Sequence, residues 1–165
     1  DPHMKPWEWQ DHYAKLGQYL LKKSKGGALS FRLEYPARIA ESLSLKVSLR
    51  RDMERAYRTN DRTLLARIVA KNIPALIKAL RQLHSCHRNM WMKTYKPFGW
   101  EVLKHRYGGL FARLETVKTR LEDYLHERIE RIEELEAELH DPWKHMKERV
   151  VSVGHSRVKT PSCIK

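Results

Sequence analysis

Cysteine is nearly absent from this 165-residue chain. Cys86 and Cys163 are too few and too far apart for a disulfide framework, and a free Cys86 thiol points towards a cytoplasmic protein. Also missing are a glycine-rich phosphate loop, a Gly-x-Ser-x-Gly nucleophile elbow and a His-Glu-x-x-His pair. No catalytic residue, cofactor-binding residue, cofactor or metal ligand is therefore assigned. No run approaches ~20 uninterrupted apolar residues, which argues against a membrane partner. Strand alternation is scarce: only Ala28 to Tyr35 alternates, and so short a stretch with no partner strand reads as a linker. The start, Asp1-Pro2-His3-Met4, lacks an apolar signal core. It reads as a cloning scar before Lys5, which predicts that the chain is a fragment.

What the chain does have is helical periodicity. Hydrophobic residues make up 41% of it, enough for one core and too much for disorder. Pro6 opens a first pattern carrying Trp9, Tyr13, Leu16 and Leu20, which Gly26-Gly27 stops. Pro36 suits the first turn of the next helix. Ile39, Leu43 and Val47 form one row there, and Leu45, Leu49, Met53 and Ala56 a second, giving a wide apolar face. Thr59-Asn60-Asp61 breaks the pattern and supplies an N-cap. Pro74 predicts a kink or a fresh helix start within the following run, and Lys96-Pro97-Phe98-Gly99 is a turn. A last stripe runs from Trp100 to Leu139, ~60 Å if unbroken, until Asp141-Pro142; Arg128 and Arg131 interrupt it and suggest a bend. The expected fold is all-α, an antiparallel bundle of four to five helices with a long C-terminal helix. The expected organisation is residues 1–4 as the scar, 5–150 as a single helical domain and 151–165 as a flexible tail.

Charge is uneven. The formal balance is +13, from 33 Lys and Arg against 20 Asp and Glu. Between Leu121 and Asp141 nine acids face two bases, so the rest holds 31 bases and 11 acids, a balance of +20. Such a surface attracts nucleic acid, another anionic polymer or an acidic protein face. Composition alone is weak ground for nucleic acid, and docking on an acidic domain of the same polypeptide is the plainer reading.

Several residues invite chemistry and each has a plainer role. His84 and His87 lie one helical turn apart, as zinc ligands would, but Cys86 points ~200° away from His84 and no second ligand pair follows. They read as structural histidines. Glu101, Glu115, Glu122 and Glu127 read as solvated charges in place of an acid–base pair. Gly108-Gly109, in mid-helix, predicts the close approach of another helix. Trp100 and Trp143 are candidates for stacking on sugars.

The most informative stretch is Trp91 to Leu114, WMKTYKPFGWEVLKHRYGGLFARL. With Tyr57-Arg58-Thr59-Asn60-Asp61, His87-Arg88-x-x-Trp91, Lys96 to Leu103, Arg106 to Leu110, Arg113 to Thr116 and Tyr124-Leu125, it resembles the helical region that follows the barrel in bacterial family-20 β-N-acetylhexosaminidases. The likeness is strong from Arg55 to Glu136, loose before that and absent in the tail. It implies a parent enzyme that removes terminal N-acetylhexosamine from glycoconjugates by substrate-assisted hydrolysis, with an Asp–Glu pair on a (β/α)₈ barrel. No residue here is assigned to that pair. The expectation is an accessory domain with no enzymatic activity of its own. It is expected to dock on the parent's catalytic barrel and to support a homodimer. Its candidate contact residues are Lys96, Phe98, Trp100, Glu101, Arg106 and Tyr107. A basic module binding nucleic acid or another anionic polymer is the alternative.

Overall fold

The computed structural model describes residues 6–27 and 30–137, with the side chains of Pro6 and Trp7 left out. The expected scar, Leu139, the Asp141-Pro142 stop, Trp143, Cys163 and the 151–165 tail lie outside the described residues. Seven α-helices follow in order: α1 (Pro6–Lys23), α2 (Ser30–Lys46), α3 (Leu49–Arg58), α4 (Arg62–Arg67), α5 (Ile73–Thr94), α6 (Trp100–Leu125) and the single turn α7 (Glu133–Glu136). A π-helical turn, Ile68–Asn72, joins α4 to α5 without a break, so five helical rods and one short turn make an all-α bundle. No strand occurs among the described residues.

Neighbouring rods run antiparallel. The start of α1 meets the end of α2 where the Ser48 hydroxyl reaches Gln10 at 3.3 Å. Along the α2–α5 seam Tyr35 stacks near His87 and Arg38 reaches Gln82. Trp91 then lies near Trp100, and Arg81 near Phe111, along α5 and α6. The core forms where α3, α4, the π turn and α5 meet: Leu65, Ile68 and Ile73 are fully covered, with Leu49, Met53, Ala56, Leu76 and Leu80 around them.

The proline at 74 works as its chemistry demands. It cannot donate to Ala70, and the ring crowds that carbonyl. The ladder widens by one residue instead, with the Ile73 N–H donating to the Ile68 carbonyl five residues back. This π turn keeps the rod continuous. Asp61 caps α4 as expected, its carboxylate accepting from the Leu64 N–H at 2.9 Å. Asn60 before it takes the left-handed conformation at φ 52, which asparagine tolerates.

Three expectations need correction. First, Ser30 to Tyr35 is helix and no linker, and Pro36 lies well inside α2. Tyr35 is fastened to His87 with ring centroids 4.3 Å apart, and Ala37 is fully buried. Packing on both sides of the proline outweighs the ~3 kcal/mol a proline costs within a helix. Second, the wide face over Ile39 to Ala56 is two helices with a turn at Val47-Ser48. The Ser42 and Ser44 hydroxyls bond back to the carbonyls of Arg38 and Glu41, which competes with the helical ladder. Third, α6 stops at Leu125. Glu127 adopts φ 58 and the Arg62 guanidinium takes the Leu125 carbonyl at 2.6 Å. The chain then folds back as a strap that buries Ile132 to 3% exposure. Tyr57 fastens the strap: its hydroxyl accepts from the Ile132 N–H at 3.0 Å and donates to Glu136 at 2.6 Å.

Candidate docking surface

The corner between α5 and α6 carries the signature residues. Its backbone is held from within. The Trp91 indole N–H donates to the Lys96 carbonyl at 2.9 Å, and the Gly99 N–H donates to the Glu101 carboxylate at 2.9 Å. Gly99 takes φ 91 with the Trp91 ring 3.4 Å from where a Cβ would stand, so a side chain there meets both strain and a wall. The result is a turn with a fixed shape.

The six candidate residues divide across that turn. Trp100 points inward, 7% exposed, with its ring 5.3 Å from His87, 5.6 Å from His84 and 6.0 Å from Trp91. It is core, and is not available for stacking on a sugar. Tyr107 is half-buried, its hydroxyl 3.0 Å from His87 Nδ1, and burial pushes that phenol well above its ordinary range. Lys96, Glu101 and Arg106 are exposed, and Phe98 stands out at 83% exposure. Tyr95, 61% exposed beside it, extends the outward face. The sequence reading did not single Tyr95 out, although it sits inside the signature stretch.

Gly108 and Gly109 correct another expectation. A Cβ at either would meet nothing within 4 Å, so no described helix of this chain approaches them. The close-approach glycine is Gly17 of α1. A Cβ there would stand 3.3 Å from the Ala37 carbonyl oxygen and 3.3 Å from the Glu41 nitrogen of α2. The pair leaves a strip of exposed helix backbone on α6, more than two turns along from Trp100.

Beneath the corner lies a box of rings: Tyr35, His84, His87, Trp91, Trp100, Tyr107 and Phe111. Tyr35 was missed because its stretch read as linker. Burial lowers the pKa of both histidines, helped at His84 by Arg88 and Lys104 and at His87 by His84. Neutral imidazoles suit an apolar box. Cys86 faces α2, free and buried, with its thiol pushed up to about 11 by burial, so it is a packing group and no nucleophile. Among the described residues no three His, Cys, Asp or Glu side chains are grouped to hold a metal ion. The carboxylates do not pair either: Glu101 caps the turn, Glu122 meets Lys118 at 3.3 Å and Glu127 meets Arg62 at 3.5 Å.

A family model of the glycoside hydrolase 20C C-terminal domain matches residues 1–153. The chain belongs to that family. No curated protein matches it. The family match takes in α1 and α2 as well as the signature stretch, and so extends well beyond the Arg55–Glu136 region that carried the resemblance. As the C-terminal domain of a family-20 glycoside hydrolase, the chain is associated with a catalytic domain. None of its described helices is long and apolar enough to cross a membrane.

Proposed function

We propose that this domain is a non-catalytic helical buttress of a β-N-acetylhexosaminidase, docking on the catalytic barrel through the α5–α6 corner and supporting a homodimer. The observation that carries this is Phe98. A large aromatic side chain left 83% exposed on a braced turn costs solvation unless a partner covers it. Lys96, Glu101 and Arg106 are exposed charged residues of the same segment, in keeping with an apolar anchor within a polar border. Trp100 and Tyr107 hold the turn from beneath. Hydrolysis belongs to the barrel, whose acidic pair has no counterpart assigned here. The free Cys86 thiol favours a cytoplasmic enzyme.

Phe98→Ala in the intact enzyme tests the reading. It is expected to weaken domain docking or dimerisation, seen by limited proteolysis and sedimentation, while the isolated domain melts unchanged. Unaltered association would remove the corner from the interface. The isolated chain is also expected to release only background from a chromogenic N-acetylglucosaminide. Turnover that a carboxylate substitution in this chain abolishes would overturn the non-catalytic assignment.

A further inference from the structure

From Arg62 to Trp100 the sequence holds eight Lys and Arg and not one Asp or Glu. That stretch is the α4–α5 rod and the turn after it. Several bases elsewhere have acidic partners: Arg38 meets Glu34 and Glu41, Arg50 meets Glu54, Lys118 meets Glu122, Arg120 meets Glu134 and Arg128 meets Asp123. Among the described residues only Arg62, at the first position of the rod, forms an ion pair from within it.

The cations of α5 are also ordered. At ~100° per residue Lys78, Arg81 and Arg88 fall within ~80° of one another, and all three are exposed. Ser85 lies between them on the same strip. Lys104 of α6 joins them, since it and Arg88 both press on His84. Arg81 is steadied by the Phe111 ring, 5.4 Å from its guanidinium. Like charges along one helix face repel, and helices ordinarily relieve this with an acid three or four residues away. Here no acid among the described residues pairs with these cations.

We propose that this face, Lys78, Arg81 and Arg88 with Lys104 beside them, binds a linear anionic polysaccharide. The proposal rests on family membership and on the rod itself, and is independent of the docking corner. Three observations favour this occupant. The strip from Lys78 to Arg88 exposes small or polar neighbours, Gln82 and Ser85, and no large apolar group; a stable protein interface has an apolar centre. Single-stranded nucleic acid is gripped by open aromatic faces, yet the strip from Lys78 to Arg88 carries no Phe, Tyr or Trp, and the half-buried Phe111 beside it is covered by Arg81. Along the axis the cations sit ~4.5 Å and ~10.5 Å apart at ~1.5 Å per residue. That suits a polymer charged once per sugar or once per disaccharide better than a duplex charged every ~1.7 Å. In a glycoside hydrolase such a rail holds a polymeric glycan near the enzyme.

Titration of the full 165-residue chain with four fluorescent probes tests this: a heparin oligosaccharide, an oligogalacturonate, neutral dextran and a short DNA duplex. Either charged glycan is expected to bind more tightly than the duplex, and dextran not at all. The triple substitution K78Q/R81Q/R88Q is expected to lower glycan affinity by about tenfold or more, and R50Q/R51Q/R55Q on α3 by no more than about twofold. Equal losses from the two triples mean diffuse charge and overturn the proposal. So does a duplex bound as tightly as the glycans, or no glycan bound at low salt. If binding vanishes once the catalytic domain is attached, the rail is a docking face; the proposal falls while the Phe98 reading stands.

Discussion

Helices α5 and α6 are of similar length, 22 and 26 residues, and both carry an apolar stripe, yet α5 buries seven residues and α6 only two, Trp100 and Leu121. The difference lies in neighbours. α5 is packed on one side by Tyr35 and Arg38 of α2 and on another by Trp100, Tyr107 and Phe111 of α6. α6 lies at the edge, and Leu110, Phe111, Leu114 and Val117 are only half-buried against the core. Period shows that a stripe seeks cover; the number of neighbours decides how much it finds. A helix with unused apolar surface is suited to a partner beyond this chain, which favours docking on a catalytic domain.

Truncation of core side chains breaks or confirms that contrast most directly. Leu76→Ala and Ile73→Ala on α5 are expected to cost ~2–5 kcal/mol, because fully covered side chains leave cavities. Leu110→Ala on α6 should cost about 1 kcal/mol, having less apolar area to re-expose. Leu121→Ala, at 1% exposure, should behave like the α5 variants. Urea denaturation of the isolated chain measures all four. Equal losses at Leu76 and Leu110 would mean that α6 is no edge helix.

The same contrast governs what the sequence revealed. Signals that act through backbone chemistry were legible: the Asp61 cap, the Pro74 distortion, the Pro97–Gly99 turn, and Cys86 facing away from His84. Outcomes set by distant partners were not. Nothing local to Ser30–Tyr35 says that His87 waits to stack on Tyr35, so Pro36 read as a helix start. Leu125 to Leu135 keeps an apolar period, but the left-handed Glu127 and the Tyr57 hydroxyl redirect the chain. Of the candidate site, the segment was legible and the division of its side chains was not. Trp100 and Phe98 are neighbours of similar apolarity, and only the fold of the turn sends one inward and the other out.

A smaller effect comes from the strap that closes the lower end of α6. Tyr57→Phe keeps the ring packed on Tyr124, 5.1 Å away, and removes the hydroxyl that joins Ile132 to Glu136. The expected loss is about 1–2 kcal/mol, one backbone donor left unpaired where it is partly covered. Hydrogen exchange at the Ile132 amide should rise in step. Unchanged exchange there would mean that the strap is held by Ile132 packing alone.

The ring box between α5 and α6 adds a pH dependence. His84 and His87 titrate lower in the folded chain than the ordinary 6.5, so the unfolded chain binds protons more readily. The neutral forms contribute stability that is present above about pH 6.5, and it is lost as pH falls through the depressed folded values. His84 faces Arg88 and Lys104, and His87 faces Tyr35 and Tyr107, whose phenols burial keeps neutral. Melting temperature should therefore fall between pH 7 and pH 5. The slope should be shallower in the His84→Gln, His87→Gln double variant. A double variant with the parent's slope would place the titration elsewhere.

The smallest effect separates the two kinds of glycine. Gly108 and Gly109 stand in mid-helix with nothing within 4 Å of an added Cβ, so each weakens α6 for no internal benefit. Gly108→Ala and Gly109→Ala should stabilise the isolated domain by ~0.5–1 kcal/mol apiece, the ordinary helix-interior difference. Gly17→Ala should do the reverse, because its Cβ would press on α2 backbone atoms 3.3 Å away that cannot swing aside. In the intact enzyme the α6 pair becomes informative. If a barrel segment lies against this bare strip, the added methyl groups that stabilise the isolated domain should weaken the assembled enzyme. Gly109→Ala would then raise the melting temperature of the isolated domain and lower the association of domain with barrel, a reversal that a merely solvated pair cannot produce. Stabilisation in both settings would leave the strip bare and confine docking to Phe98 and its rim.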